Sequence, residues 1–599
     1  MRRRTSSVIA LAAAASLLVA GCSQGIGMNR VAEGTQLSIG VLDTASTVNA
    51  QEARLGNPID VSASAEQLVA GMLYLPVHLR VHPTVQFNTD FIRVEPVGSD
   101  PLTVRHQLAE GMAWSDAVPT DDADLLLAWA AASEHFAPAD FDREEHLTGD
   151  GQLTVPDDVT WFDHAWSPMQ QGTAVPTVGS DRRTMDVVYD SPVLEWELGI
   201  RRLLPAHVVA REALGVSDAM VAKQAVRDAI LDEDLDSIRK LADAYRELFS
   251  ISGGVASGAS VSNAQYMIDQ IEPSGVVVLK PNKEYRIGNG AVSETIRVVP
   301  HDSTESLLDS LRAGTVNVAI PARSVEAWST ILQLDRRGYR AIATSSSAFL
   351  RLDFNFTGGP QAGQFANRDV RRAFLSAIGV SDLNQIMVEA VDGISTRNSW
   401  VFGPGHPEAS ASAETSGFMQ LTALDDNASA ELLHRAGIDE PQACVLYDAR
   451  SPERALQFQA MQEAAAERGW RLTDCSSDDW EADLTAGESW DVALTVDSTS
   501  GLHFDALAAS FTTDGARNHS GFSSPALDEL VATARREADV YKRLDALTEI
   551  DRLLVEEAVG MPLHHLPVIA INSDAVNGPS MSEDPPFIGQ DAFGWEVSR

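Results

Sequence analysis

Residues 102–129 read LTVRHQLAEGMAWSDAVPTDDADLLLAW. Leu102, Val104, His106 and Leu108 alternate with Thr103, Arg105 and Gln107, the period of a half-buried strand. Gly111, Trp114, Ser115, Asp116 and Pro119 then mark a tight turn. Thr120 is placed to cap a helix whose first turn carries Asp121, Asp122 and Asp124, the charge sign that the positive end of a helix dipole favours. The helix continues through Leu125, Leu126, Leu127 and Trp129. Many folds contain a strand, a turn and a capped helix, so the order of residue types in the rest of the chain has to decide.

At 599 residues the chain exceeds one hydrophobic core, and its length implies roughly three or four structural domains. Hydrophobic residues make up 44% and charged residues 22%, the balance of an ordinary globular protein. A formal net charge of −40 argues against nucleic acid as a partner, because phosphate binding needs clustered Lys and Arg. The acidic residues are spread without a long run, as on a solvated surface.

Residues 1–22 carry Arg2, Arg3 and Arg4, an apolar run from Val8 to Leu18, and the ending Leu-Val-Ala-Gly-Cys. This pattern is that of a signal peptide. Its ending resembles the bacterial lipobox, which implies cleavage before Cys22 and lipidation of that residue. More than one acyl chain there would hold the protein to the outer face of the cell membrane. No later segment reaches the roughly 18–20 apolar residues of a membrane span.

The other cysteines, Cys444 and Cys475, flank a strand–helix–strand pattern: Cys444–Tyr447, Pro452–Arg468, Trp470–Asp474. In a right-handed crossover the strands are parallel and the sulfurs fall near opposite ends, on the order of 13 Å apart. Two free, mostly buried thiols are expected. His564 and His565 are neighbours on a strand and point to opposite faces, so they cannot jointly bind one ion without distortion. No Gly-x-Ser-x-Gly elbow, His-Glu-x-x-His, phosphate loop or metal-spaced Cys pair occurs, and neither an enzyme activity nor a cofactor is expected.

The opening stretch resembles the signature of the extracytoplasmic solute-binding proteins of family 5, the peptide, dipeptide and nickel import type: an alternating strand, Trp-Ser-Asp-Gly, a Pro and an Asp-bearing helix start. Ala117 stands where that signature has Gly. Further steps follow in order: Leu204-Pro205-Ala206-His207, Lys280-Pro281-Asn282 with Tyr285, and Leu311-Arg312-Ala313-Gly314-Thr315-Val316-Asn317-Val318-Ala319. Phe354-Asn355 then precedes Val370-Arg371-Arg372-Ala373, and Met561-Pro562-Leu563 opens the closing strand.

The resemblance implies an α/β, bilobed, periplasmic-binding-protein-like fold of type II, in its large three-domain peptide-binder variant, with a hinged ligand cleft. It divides the chain into a signal peptide (1–21), a tether (22–35), a discontinuous lobe I (36–75, 185–320 and 505–599), an extra domain packed on lobe I (76–184) and lobe II (321–504). The implied partners are a peptide or other small-molecule ligand and an ABC permease with its ATPase, with the receptor itself a monomer. Candidate ligand-binding residues are Tyr74, Trp400, Phe402, Asp497, His503 and Phe504. Peptide-binding members hold the peptide amine with an Asp shortly after a Trp; here the loop reads Thr495-Val496-Asp497-Ser498, without the Trp. An acid usual near Tyr74 is also missing. These departures bring the chain closer to an actinobacterial branch in which a lipoprotein works in phosphatidylinositol mannoside and lipoarabinomannan synthesis. A non-transport regulatory or glycolipid-binding lipoprotein is therefore the alternative to a peptide receptor.

Overall fold

The computed structural model describes residues 31–598 apart from 52–64, 81–84, 142–145, 147–152, 194, 252–257, 323–324, 336–337, 362, 392, 404–405, 423–426, 499–502, 538, 578–591 and 593. Cys22 and the expected signal peptide lie outside the described residues.

Leu102–Leu108 is a strand of a four-stranded antiparallel sheet, between Ile92–Ser99 and Thr184–Val188. In the Trp114-Ser115-Asp116 turn that follows, the left-handed position is held without glycine: Ala117 takes a φ of 66°, the region in which a Cβ is costly. The helix Asp122–Ser133 is capped one residue later than the pattern suggests, by Asp121 rather than Thr120. The Asp121 carboxylate accepts the Ala123 N–H and the Asp124 carboxylate accepts that of Asp121, so two orphan donors are satisfied by charged acceptors.

Asp124 also accepts from Trp114 Nε1 at 3.2 Å, Ala206 N at 2.9 Å and Lys223 Nζ at 2.6 Å. Asp116 Oδ2 lies 3.0 Å from His207 Nε2. The Trp-Ser-Asp turn and the Leu-Pro-Ala-His step are thus two sides of one packed unit, far apart in sequence.

The central sheet has ten strands: β1 (Ala32–Val41), β2 (Tyr266–Ile271), β3 (Val277–Pro281), β4 (Ser293–Pro300), β5 (Val318–Ala319), β6 (Tyr339–Phe354), β7 (Gln442–Leu446), β8 (Arg471–Asp474), β9 (Val492–Ser498) and β10 (Gly560–Ser573). Their spatial order is β8-β7-β9-β6-β10-β5-β1-β4-β3-β2. Leu37, Ile39 and Val41 bury β1 between parallel neighbours β4 and β5, the setting in which both sheet faces are covered.

β6 and β10 are the long members and pair antiparallel from Tyr339↔Ser573 to Asp353↔Gly560. The register shifts between Ser345 and Phe349 and again between Phe349 and Arg351, and such bulges bend a strand. On one side of the bend, Ile569 and Ile571 pack with Leu307, Leu311, Trp328 and Ile331. On the other side, Leu350, Leu352, Phe354, Met561 and Leu563 pack with Val370, Phe374, Val492 and Leu494. A third segment crosses beside them: Val391 and Ile394 belong to the former core and Trp400 to the latter, with Thr396 bridging His564.

Leu507, Phe511, Leu527, Val531, Ile550 and Leu554 lie in the core of Leu350, whereas Trp328 and Ile331 lie in that of Leu307. We propose from this packing that the lobes divide at the bulge, with Trp328 and Ile331 on the lobe I side and the helices carrying Leu507, Leu527 and Leu554 on the lobe II side. Trp114, Leu125 and Trp129 of the segment 76–184 share one core with Leu37 and Ile39.

The expectation of two free thiols is overturned: Cys444 and Cys475 form a disulfide, with Cα atoms 5.7 Å apart. β7 begins at Gln442, two residues before Cys444, and pairs Cys444 with Thr473, so the register slides Cys475 beside Cys444 rather than past the far end. The Cys475 N–H donates to the Val445 carbonyl.

Candidate functional site

The bend of β6 and β10 sets three side chains in a row on one sheet face. Phe349 is the cross-strand partner of Asp497 on β9 and of His565 on β10. Partners opposite one another in an antiparallel ladder project to the same side. Alternation then puts Arg351 and Asp353 on that face, while Leu350, Leu352 and Phe354 supply the core behind it.

Every charge in this row is nine-tenths buried or more. Arg351 Nη1 donates to Asp497 Oδ2 at 2.6 Å and its Nε donates to Asp353 Oδ2 at 2.9 Å. Asp497 also accepts from Ser510 Oγ at 3.2 Å and Arg517 Nη1 at 3.3 Å. Thr495 Oγ1 donates to Asp353, and the Arg351 guanidinium stands 5.2 Å from the centre of the Phe511 ring.

Arg397, on the third crossing segment, lies over Phe349 with Cζ 4.1 Å from the ring centre. It is 1% exposed, and burial pushes its guanidinium down to about 10, with Asp497 and Asp551 offsetting part of that. Its Nη2 donates to the Trp400 carbonyl at 3.1 Å, and Nε and Nη1 meet no acceptor. His565 Nδ1 is 2.7 Å from the Ser346 carbonyl, so it carries the proton and leaves Nε2 as an acceptor; burial pushes the ring down to about 3. His564 faces the opposite side and meets Gln457 at 2.8 Å.

The two lobes touch beside this row. The Phe504 N–H, at the start of the helix His503–Phe511, donates to Glu195 Oε1 of the opposite lobe at 3.3 Å. Arg543 exerts an electrostatic pull on Glu197 across the same gap.

The candidate residues from sequence fall in different places. Asp497 is in the row, but its carboxylate is engaged by two arginines and a serine. Trp400, Phe402 and Phe504 pack in the lobe II core; Trp400 meets Phe511 edge-on at 4.9 Å, and Arg535 lies over Phe504. Tyr74 is in the other core, edge-on to Trp114 and Phe249, with its hydroxyl unpartnered and pushed far up by burial. His503 begins the helix at the lobe contact. Residues 499–502, between Asp497 and that helix, lie outside the described residues.

Sequence reasoning missed Arg351, Asp353 and Arg397. A signal existed for the first two: Leu350-Arg351-Leu352-Asp353-Phe354 alternates apolar with charged, and Thr495 and Asp497 alternate likewise on β9. Nothing in the sequence places Arg397 over Phe349.

Two lobes on one continuous sheet, joined by two bulged strands and a third crossing segment, define the type II periplasmic-binding-protein-like class. Residues 247–521 match the model of the bacterial extracellular solute-binding proteins, family 5. A lipoprotein of Mycobacterium tuberculosis, itself uncharacterized, is 22% identical over 535 residues, covering 85% of this chain and 84% of its own. Among solved structures, a periplasmic EDTA-binding protein superposes with a TM-score of 0.73 at 18% identity, covering 96% of this chain and 99% of its own. DppA of Helicobacter pylori, in complex with the peptide STSA, superposes at 0.59 and 15% identity, covering 94% and 98%. Over those matched residues the chain is similar to the family 5 bacterial extracellular solute-binding proteins, and over nearly its whole length it shares their fold.

Proposed function

We propose that the protein is the extracytoplasmic substrate-binding lipoprotein of an ABC-type importer of oligopeptides or dipeptides, tethered to the outer face of the cell membrane through Cys22. The bulged crossing of β6 and β10 carries this reading, because it gives one sheet two bodies and a place to bend. Ligand held by both lobes stabilises the closed form through its extra contacts, and a permease and ATPase would read that form. The peptide held by the Helicobacter pylori neighbour supports the ligand class. Lipoprotein relatives support the anchor.

One observation favours a second reading, a non-transport regulatory or glycolipid-binding lipoprotein of the cell envelope. Asp497, the residue nearest to the family's amine-holding acid, has its carboxylate occupied within the protein. Mass spectrometry of what co-purifies with the soluble chain, released by denaturation, separates the two. Bound peptides are expected; a mannosylated lipid, or no stabilisation by any peptide pool, overturns the importer reading.

A further inference from the structure

A cavity of about 560 Å³ opens among three segments of the first core: the turn after the strand Leu102–Leu108, the hairpin ahead of Thr184–Val188, and the helix Ala219–Leu231. None of its walls belongs to the row on β6, β9 and β10. Its volume falls within the range of small-molecule sites, roughly 300–1,000 Å³. The hairpin is fixed against the turn, because the Arg182 carbonyl accepts from Asp122 N at 2.9 Å and holds Arg182 at a φ of 59°.

Three guanidiniums line this cavity with donors to spare. In a chain with 85 Asp and Glu against 45 Lys and Arg a surface arginine finds an acid easily, as Arg105 on the neighbouring strand finds Asp186. Arg182 and Arg183 have no carboxylate within ion-pair distance among the described residues; Arg182 shares Gln224 Oε1 at 3.3 Å and Arg183 reaches only the Leu108 carbonyl at 3.5 Å. Arg227, 4% exposed, gives Nε to Asp122 at 2.5 Å and Nη2 to Asp121 at 2.6 Å, which leaves Nη1 without an acceptor. Arg182 also acts electrostatically on Asp122, the acid that Arg227 holds, so these two charges serve one place.

The two acids on the walls do not answer them. Asp181 accepts from the Arg183 and Thr184 N–H groups and from Thr184 Oγ1, and Asp121 accepts from Ala123 N, Lys223 Nζ and Arg227. Thr120 supplies an independent sign. Asp121 takes the capping role that its position suggests, and Thr120, 3% exposed on the cavity wall, is left with a buried hydroxyl that has no partner. A buried hydroxyl without a hydrogen bond is costly unless a further group answers it. The rest of the wall is apolar, with Met112 buried, Pro119 beside it and Met220 half exposed.

We propose that this cavity is a binding site, separate from the contact between the lobes, for a small soluble phosphate monoester with an apolar body. Guanidinium forks match phosphate oxygens. Three forks on one cavity offer more donors than the two oxygens of a carboxylate accept, whereas a phosphate monoester brings three terminal oxygens and nearly two charges at neutral pH. The apolar body lies against Met112 and Met220, whose unbranched side chains adapt to irregular shapes. A net charge of −40 repels an anionic bilayer, which favours a soluble ester over a lipid headgroup. The site does not depend on which solute the lobes enclose.

The test is calorimetric titration of the full mature chain with hexyl phosphate, hexanoate and inorganic phosphate. Hexyl phosphate is expected to bind more tightly than either of the others by about tenfold or more. The double variant Arg182→Asn, Arg183→Gln is expected to lose that binding by about tenfold or more while keeping its melting temperature, because asparagine tolerates the left-handed region and neither arginine holds an ion pair. Met220→Ser is expected to reduce the preference for hexyl phosphate over inorganic phosphate and to leave the affinity for inorganic phosphate unchanged. Hexanoate binding as tightly as hexyl phosphate overturns the phosphate assignment. Hexyl phosphate binding undiminished in the double variant places the ligand elsewhere and overturns the site, as does the absence of any binding to the unsubstituted protein, which needs no variant to fold.

Discussion

Arg351 Nη1 stands 2.6 Å from Asp497 Oδ2, and both side chains are about nine-tenths buried. Removing the carboxylate leaves Arg351 with Asp353 alone and frees Arg517 and Ser510 from their shared acceptor. Breaking a buried pair costs about 3–5 kcal/mol. Asp497→Ala is therefore expected to lower the stability of lobe II by that order in chemical denaturation. A variant of unchanged stability that loses peptide binding would restore the amine-holding role to Asp497.

Lys223 gives a second case. Its ammonium is fully buried and donates to Asp124 at 2.6 Å, Asp121 at 3.0 Å and the Pro119 carbonyl. Those carboxylates also cap the helix Asp122–Ser133. Lys223→Met leaves two buried acids short of a counter-charge, and a loss of about 3–5 kcal/mol is expected. Denaturation monitored at the tryptophans, Trp114 and Trp129 among them, reads this; an unaffected midpoint contradicts it.

The same stretch shows how far the sequence was readable. The strand Leu102–Leu108 and the helix starting near Asp121 follow from local period and charge, because both are decided by residues a turn apart. The choice of Asp121 over Thr120 as cap depends on Lys223 and Arg227, which neutralise the acids from a helix a hundred residues on. His207 likewise finds Asp116 across 91 positions.

Non-local register is also what hid the disulfide. A slide of two residues between β7 and β8 decides whether Cys444 meets Cys475, and the pattern of the segment does not fix it. Arg397 was unreadable for a related reason. Its neighbours Phe349, Asp497 and His565 come from three strands.

The Cys444–Cys475 bond closes a loop with a sequence separation of 31, containing β7, the helix Pro452–Glu467 and β8. Cross-linking a loop of that length is worth about 3–4 kcal/mol through the entropy of the unfolded chain. Reduction under native conditions, or Cys475→Ala, is expected to destabilise lobe II by that order and to spare the core of Leu37 and Trp114. Intact mass before and after reduction confirms the bond itself; a native mass two hydrogens heavier than the oxidised form removes it.

Buried histidines set the response to acid. Burial lowers His78, His106, His164 and His564 to about 4 and His565 to about 3. A folded state that binds fewer protons than the unfolded chain keeps its full stability above the unfolded histidine value near 6.5 and loses it as pH falls from there toward 4 and 3. Each group contributes up to about 1.4 kcal/mol per pH unit in that window. Glu134 opposes them: burial raises it to about 8, so its contribution falls as pH rises from 4.5 toward 8. Between 4.5 and 6.5 these five histidines, joined by His519, act one way, while Glu134 and the other carboxyls that burial raises, Asp43, Asp122, Glu197, Asp491 and Asp551, act the other; the histidine contribution to stability is expected to drop on acidification. His564→Gln should reduce the slope of unfolding free energy against pH by about one proton's worth in that range, whatever it does at pH 7. Denaturant titrations at half-unit pH steps measure this; a slope identical to that of the unsubstituted protein means that His564 titrates normally in the folded state.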